Sequence, residues 1–274
     1  MAGPVDSYAV MGNPVGHSKS PRIHTLFAEA TEQRLRYTTI EVELDGFTQA
    51  VNAFFDNGDL GLSVTVPFKE QAWQMAEVRT DRAEKAGAAN TLWQDNEGRL
   101  HCDNTDGLGL VADLSHQNVS ITGKRVLILG AGGAARGVLE PILAEHPVEL
   151  VIANRTVSKA EVLAELFPGQ PISACGFQNV EGAFDLIINA TAASLKGELP
   201  PLPEHIIKDQ TCCYDMMYSA EETVFNRWSR EQGVGQVLDG LGMLIEQAAG
   251  QFAIWRGIRP QTRDVLALLR NELV

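Results

Sequence analysis

The chain has 274 residues, of which 45% are hydrophobic and 21% charged, with a formal net charge of −13. That length supports one large or two modest globular domains with real cores. No apolar run of about 18 residues marks a membrane span, and the acidic balance offers no basic stripe for nucleic-acid phosphates. The first residues carry neither a basic nor an apolar targeting segment, so no signal peptide is expected. The first predicted element is a short strand, Tyr8–Met11, ending at Gly12. Ser20 and Pro21 then open a helix, with Ser20 as N-cap and Pro21 at the first helical position. Ile23, Leu26, Phe27 and Ala30 form its apolar stripe. A strand follows over Arg36–Glu41, and Phe47, Val51, Phe54 and Phe55 mark a second helix. Gly61–Val66 reads as a strand stopped by Pro67. Ala89–Gln94 and Arg99–Cys102 flank Asp95-Asn96-Glu97-Gly98, a hairpin signal.

Asp106 heads a helix over Leu108–Leu114. Longer apolar strands then alternate with helices: Val126–Leu129, Leu150–Ala153, Leu186–Asn189, Cys212–Tyr214 and Gln236–Leu238. Such continuous apolar strands imply a parallel sheet covered on both faces. From Gly240 the pattern is helical, with a last helix over Val265–Leu273. The expectation is two α/β domains around a cleft, 1–106 plus 241–274 and 107–240, with the C-terminal helices returning to the first domain. The four cysteines, Cys102, Cys175, Cys212 and Cys213, lack metal-ligand spacing. Free thiols in a reducing cytoplasm, and no metal, are therefore expected.

The most informative stretch begins at Val126. The strand stops at Gly130-Ala131-Gly132-Gly133-Ala134-Ala135, and a helical pattern follows. This is the strand–glycine turn–helix unit of dinucleotide-binding folds, in the G-x-G-x-x-A form. Gly130 permits the turn, and Gly132 lets the backbone approach a pyrophosphate at the helix N-terminus. The next strand ends in Asn154-Arg155-Thr156, about 20 residues on, where NAD sites place an acid for the ribose hydroxyl. Here Arg155 stands there instead, with Lys159 one turn later and Thr156 in N-cap position. That set predicts NADP rather than NAD.

In the first domain, polar clusters stand where loops follow predicted strands. They are Ser18 and Ser20 before a helix, Lys69 after Val66-Pro67-Phe68, and Asp103-Asn104-Thr105-Asp106. Each alone has an ordinary structural reading, as a helix cap or a solvated lysine. Together with Ala88-Ala89-Asn90-Thr91, Tyr214-Asp215-Met216-Met217-Tyr218 and Asp239-Gly240-Leu241-Gly242-Met243-Leu244 they form an ordered series. On those motifs the sequence resembles the shikimate dehydrogenase family over essentially its full length.

The resemblance implies an N-terminal substrate domain, a Rossmann-like NADP domain, and interconversion of shikimate and 3-dehydroshikimate. It implies Lys69 and Asp106 as the catalytic pair. Ser18, Ser20 and Tyr218 are the implied carboxylate binders, and Thr65, Asn90 and Gln247 the hydroxyl binders. Thr191, Met216, Gly240 and Met243 join Gly130–Ala134, Asn154, Arg155, Thr156 and Lys159 at the coenzyme; for the two methionines core packing is an equal reading. Ser63 departs from the usual Asn of the family. A quinate-active or slower paralogue and a non-catalytic NADP sensor are the alternatives. A monomer or homodimer is expected, with small molecules as its ligands.

Overall fold

The computed structural model describes residues 5–191, 193 and 197–273. They divide into two compact units. One is the described part of Met1–Gly109 with Ile245–Leu269; the other is Leu110–Leu244 with the described part of Arg270–Val274.

The first unit contains β1 (Asp6–Gly12), α1 (Ser20–Ala30), β2 (Leu35–Glu41), α2 (Phe47–Asp56), β3 (Gly61–Val64), α3 (Lys69–Met75), β4 (Val78–Arg79), α4 (Asp81–Ala86), β5 (Thr91–Gln94) and β6 (Leu100–Asp103). Helix α5 (Asp106–His116) begins in it and ends in the second unit. The strands form one sheet in the order β2-β1-β3-β5-β6-β4. Its β1, β2 and β3 run parallel, while β5 is antiparallel to both β3 and β6. The β5–β6 turn is the expected hairpin: Asp95 Oδ1 accepts from the backbone N–H groups of Glu97 and Arg99, the side-chain-to-backbone bonding that favours Asp in turns. The apolar stripe of α2, with Phe47, Val51, Phe54 and Phe55, packs onto Leu62, Val64, Phe68 and Leu92.

The second unit adds β7 (Arg125–Leu129), α6 (Gly133–Ala144), β8 (Glu149–Ala153), α7 (Val157–Glu165), β9 (Ile172–Cys175), β10 (Leu186–Asn189), β11 (Cys212–Asp215), α8 (Val224–Glu231) and β12 (Gln236–Asp239). All six strands are parallel, in the order β12-β11-β10-β7-β8-β9. That is the doubly wound order in which two βαβ halves diverge from a central pair, and ligands bind beyond the strand ends where the order reverses. The reversal lies between β7 and β10. Strand alternation fills both faces: Val126 and Ile128 join one apolar cluster, Leu127 and Leu129 the other. All four are fully buried, so truncating any of them to alanine is a cavity mutation costing about 2–5 kcal/mol for Leu or Ile. Helix α9 (Leu241–Arg256) starts in this unit and ends in the first; α10 (Arg263–Glu272) follows it.

Ser20 is the first residue of α1, not its cap. Lys19 is the N-cap, and no side chain caps the helix. The Ser18 hydroxyl instead accepts from the Ser20 N–H at 3.2 Å, a local turn competing with the helix start. The sequence reading omitted α3, β4, α4 and β9. No described helix is long and apolar enough to cross a membrane. The four cysteines are free thiols; burial pushes Cys102 and Cys212 up to about 12 and Cys213 to about 11, which suppresses thiolate chemistry.

Candidate active site and coenzyme site

Lys69 is the first residue of α3 and Asp106 the first of α5. An acid is favoured at a helix N-terminus and an ammonium is not; their pairing offsets the second placement. Lys69 Nζ donates to Asp106 Oδ2 at 2.5 Å, with side chains 30% and 16% exposed. The other carboxylate oxygen, Oδ1, accepts from Asn90 Nδ2 at 2.8 Å. Asn90, only 2% exposed, also reaches Thr105 Oγ1 at 2.9 Å and Gln247 Oε1 at 3.1 Å with that nitrogen. Its oxygen accepts from the Thr105 N–H at 2.9 Å and the Thr91 hydroxyl at 2.7 Å. Gln247 is on α9, and its backbone carbonyl accepts from Thr105 Oγ1 at 3.0 Å. Lys69, Asp106, Asn90 and Gln247 therefore form one hydrogen-bonded cluster.

The loop that presents Asp106 is pinned below. Asp103, 1% exposed, is held by Arg82 and by Thr80 Oγ1 at 2.7 Å. Asn104 Oδ1 accepts from the Asp106 N–H at 3.1 Å. The Lys69 carbonyl accepts from the Ala89 N–H at 2.8 Å, which ties the start of α3 to the segment carrying Asn90.

A second chain of bonds runs behind the cluster. The Tyr37 phenol meets Ser63 Oγ at 2.5 Å, and Ser63 Oγ donates to Gln251 Oε1 at 2.8 Å. Gln251 Nε2 in turn donates to the Asn90 carbonyl at 2.8 Å. The Ser20 hydroxyl is the other hydrogen-bonding neighbour of Tyr37, and burial raises that phenol's pKa. Ser63, Tyr37 and Gln251 thus link Ser20 to Asn90. Tyr37 and Gln251 carry no sequence signal, Ser63 only a departure from the family pattern and Thr105 only its place in the Asp103–Asp106 cluster; buried hydroxyls and amides leave no periodic signal. Thr65 is half-buried between β3 and α3, and its carbonyl accepts from the Phe68 N–H at 3.0 Å.

In the second unit the glycine turn closes β7. Gly130 has φ +106°, which L side chains rarely adopt. Its N–H donates to the Ala153 carbonyl at 2.8 Å, holding the turn against β8. Gly132 and Gly133 are exposed, and a Cβ on either would meet nothing within 4 Å. No side chain caps α6. Its first-turn N–H groups therefore face an open cradle of the kind anions fill. Ala131 is half-buried and Ala134 exposed at its rim. Thr156 is the N-cap of α7, but its side chain makes no capping bond. Arg155, Thr156 and Lys159 are exposed. Neither cation forms an ion pair among the described residues. A cavity of about 290 Å³ is lined by Asn154, Arg155, Phe177, Thr191, Ala193 and the segment Glu198–Pro201. An open N–H cradle, a cation free to meet a phosphate and a cavity lined by that cation fit a dinucleotide with a 2′-phosphate.

Thr191, Met216, Gly240 and Met243 lie at the ends of β10, β11 and β12 and the start of α9. A Cβ on Gly240 would fall 2.1 Å from the Met216 carbonyl oxygen, so that close approach requires glycine. Met243 is 8% exposed and packs in the apolar cluster of the sheet, with Met216 against it. Tyr218 is half-buried; burial first, then the charge of Asp239, raises its phenol's pKa.

Comparison with known proteins identifies the relationship. Residues 10–92 match the family model "Shikimate dehydrogenase substrate binding domain", residues 113–196 "Shikimate / quinate 5-dehydrogenase", and residues 240–270 "Shikimate 5'-dehydrogenase C-terminal domain". The Marinobacter nauticus shikimate dehydrogenase (NADP(+)) is 56% identical over 97% of this chain and 99% of its own. Among solved structures, the Ael1 enzyme from Pseudomonas putida superposes with a TM-score of 0.93 at 44% identity, covering 98% of both chains. The Thermus thermophilus shikimate 5-dehydrogenase, solved with NADP(H) and shikimate, gives 0.87 at 29% identity over 98% of this chain and 100% of that one. The chain belongs to the shikimate dehydrogenase family.

Proposed function

We propose that this protein interconverts shikimate and 3-dehydroshikimate with NADP(H), on the route to chorismate and the aromatic amino acids. The first unit binds the substrate and the second the coenzyme. The observation that carries the reading is the Lys69–Asp106 pair at 2.5 Å, joined through Asn90 to Gln247. Bound NADP supplies the hydride chemistry. The protein must then move one proton at the oxygen of the reacting carbon. In the reducing direction Lys69 Nζ donates that proton to the carbonyl oxygen; in the oxidising direction it takes the hydroxyl proton back. Asp106 orients the ammonium with Oδ2 while Asn90 fixes the carboxylate through Oδ1. Asn90, Gln247 and Thr65 bind ring hydroxyls. Ser18 and Ser20, with Tyr218, bind the carboxylate. Arg155, Thr156 and Lys159 hold the 2′-phosphate, and the Gly130–Ala134 turn the pyrophosphate. The names of the relatives support substrate and coenzyme alike.

The test is a turnover assay of purified protein with NADP and either shikimate or quinate, read at the absorbance of the reduced nicotinamide. Turnover of shikimate with NADP is the expected result. NADPH binding with no turnover of either acid would overturn it in favour of a non-catalytic NADP sensor.

A further inference from the structure

Asp215 is completely buried at the C-terminal end of β11, within a motif whose neighbours Met216 and Tyr218 the family resemblance assigns to coenzyme and substrate. It pairs in register with Asn189 at the end of β10, also completely buried. In a parallel sheet such partners project from the same face. Asn189 Nδ2 donates to Asp215 Oδ1 at 3.1 Å. The same oxygen accepts from the Met217 N–H at 3.1 Å. Oδ2 accepts from Thr223 Oγ1 at 2.7 Å. The Thr223 oxygen already accepts from the Asn226 N–H as the N-cap of α8, so its proton is turned toward the acid. Three segments therefore converge as donors on one carboxylate: the end of β10, the loop after β11 and the start of α8.

Those segments meet the coenzyme region directly. Asn189 Oδ1 accepts from both the N–H and the hydroxyl of Thr191, at 3.1 and 2.7 Å. Thr191 in turn lies against the glycine turn: a Cβ on Gly130 would sit 3.1 Å from its Cγ2. On the other side, the Asn189 carbonyl accepts from the Met216 N–H at 3.0 Å, and the Met216 carbonyl packs onto Gly240. From Gly130 to Gly240 the shelf beyond the strand ends is thus tied to the Asn189–Asp215 pair. Buried networks of this kind rigidify what they bond when every member is satisfied.

We infer that Asp215 is a positioning residue for the coenzyme, setting through Asn189 and Met217 the geometry in which Thr191 and Met216 receive NADP(H). The inference rests on the assignment of the second unit to NADP(H), but not on the identity of the substrate. Its test is NADPH binding, followed by nicotinamide fluorescence on the intact protein, with the KM of the acid and the melting temperature measured alongside. Asp215→Asn removes an acceptor. Asn189→Asp sets two carboxyl groups face to face. Each is expected to weaken NADPH binding about 10-fold or more, the worth of a charge-assisted bond, while the KM for the acid stays within about 2-fold. The reciprocal double variant, Asn189→Asp with Asp215→Asn, restores one carboxylate and one amide in contact. It leaves the Met217 N–H against an amide NH2, so it is expected to bind NADPH about 3-fold or more tighter than either single variant without reaching the parent, a partial rescue that additive damage does not give. If Asp215→Asn does not fold, Thr223→Val removes a single donor, with Thr223→Ser as the conservative control. Valine is then expected to weaken NADPH binding about 3-fold or more and serine not at all. The inference is overturned if the variants melt lower yet bind NADPH like the parent, or if the folded double variant stays as weak as the single ones. A parent protein that binds no NADPH would instead sink the coenzyme assignment itself.

Discussion

Lys69, Asp106, Asn90 and Gln247 have found their partners inside the protein, whereas Gly132, Arg155, Thr156 and Lys159 face outward with donors still to be used. On the proposed function the first group is a preassembled acid–base cluster, in which Lys69, Asp106, Asn90 and Gln247 are hydrogen-bonded to one another in series. The second is a landing surface whose strength is realised only when an anion arrives. The contrast follows from the chemistry asked of each. Proton transfer needs a donor held within about half an ångström of its working position. Holding a phosphate needs charge, N–H groups and room.

Removing the central group of the preassembled cluster is the harshest way to break this contrast. Lys69→Ala should lower kcat by ~10²–10⁴, the usual worth of a positioned acid–base group, while the KM for NADPH changes little. Steady-state rates in both directions measure it. A kcat within a few-fold of the parent would mean that another group moves the proton. On the landing surface the expected loss is in binding. Arg155→Asp replaces an attraction by a repulsion and should raise the KM for NADPH by roughly 100-fold, with NADH affected several-fold at most. Equal losses with the two coenzymes would show that Arg155 does not meet the 2′-phosphate.

Gly132→Ala sharpens the same point with a single methyl group. Gly132 has φ −92° and ψ −173°, a conformation open to alanine, and its Cβ would meet no protein atom within 4 Å. The melting temperature should therefore hold. The methyl would occupy the approach of the pyrophosphate, and NADPH binding should weaken by about 10-fold. A variant that loses stability but keeps its affinity would reverse the reading.

The two regions also differed in how far the sequence disclosed them. The glycine turn, Arg155 and the apolar strands of the second unit are local patterns: a short continuous apolar run, a turn that needs glycine, a cation at a fixed distance. They name the parallel sheet and the coenzyme unaided. Strand β9 escaped because Ile172–Cys175 is half-exposed and lacks the apolar run of its neighbours. In the first unit, Lys69 and Asp106 stand out as polar residues after predicted strands but take a catalytic role only through the family resemblance, since a lysine at the start of a short helix with one buried residue, Ala72, has no local signature. Helix α3 was missed for that reason. Gln247 and Gln251 bond to Asn90 across more than 150 positions of chain, and Tyr37 on β2 meets Ser63 on β3 with β1 lying between the two strands in the sheet. Such contacts exist only after folding, and no spacing rule encodes them. The departure of Ser63 from the family pattern gains its explanation there: its hydroxyl both accepts from a phenol and donates to an amide.

The preassembled unit carries a cost that the landing surface does not. His24 is fully buried, and neither ring nitrogen has a hydrogen-bond partner among the described residues. It stacks on Tyr37 with ring centroids 4.2 Å apart and planes 4° off parallel. Burial lowers its pKa from 6.5 to about 3, with the nearby Gln251 side chain opposing only part of that shift. Because the folded value is depressed, the unfolded chain binds a proton that the folded one does not throughout the window from about 6.5 down to about 3. Stability is therefore lost as pH falls through that window and kept above it. His24→Phe retains the stacking and removes the titration. Between pH 7 and pH 6 the parent should lose about 0.7 kcal/mol relative to the variant, measured by urea unfolding of both proteins at each pH. Parallel changes in the two would show that His24 takes up its proton without opening the aromatic cluster, and that the polar core of the first unit is more accessible to water than its packing implies.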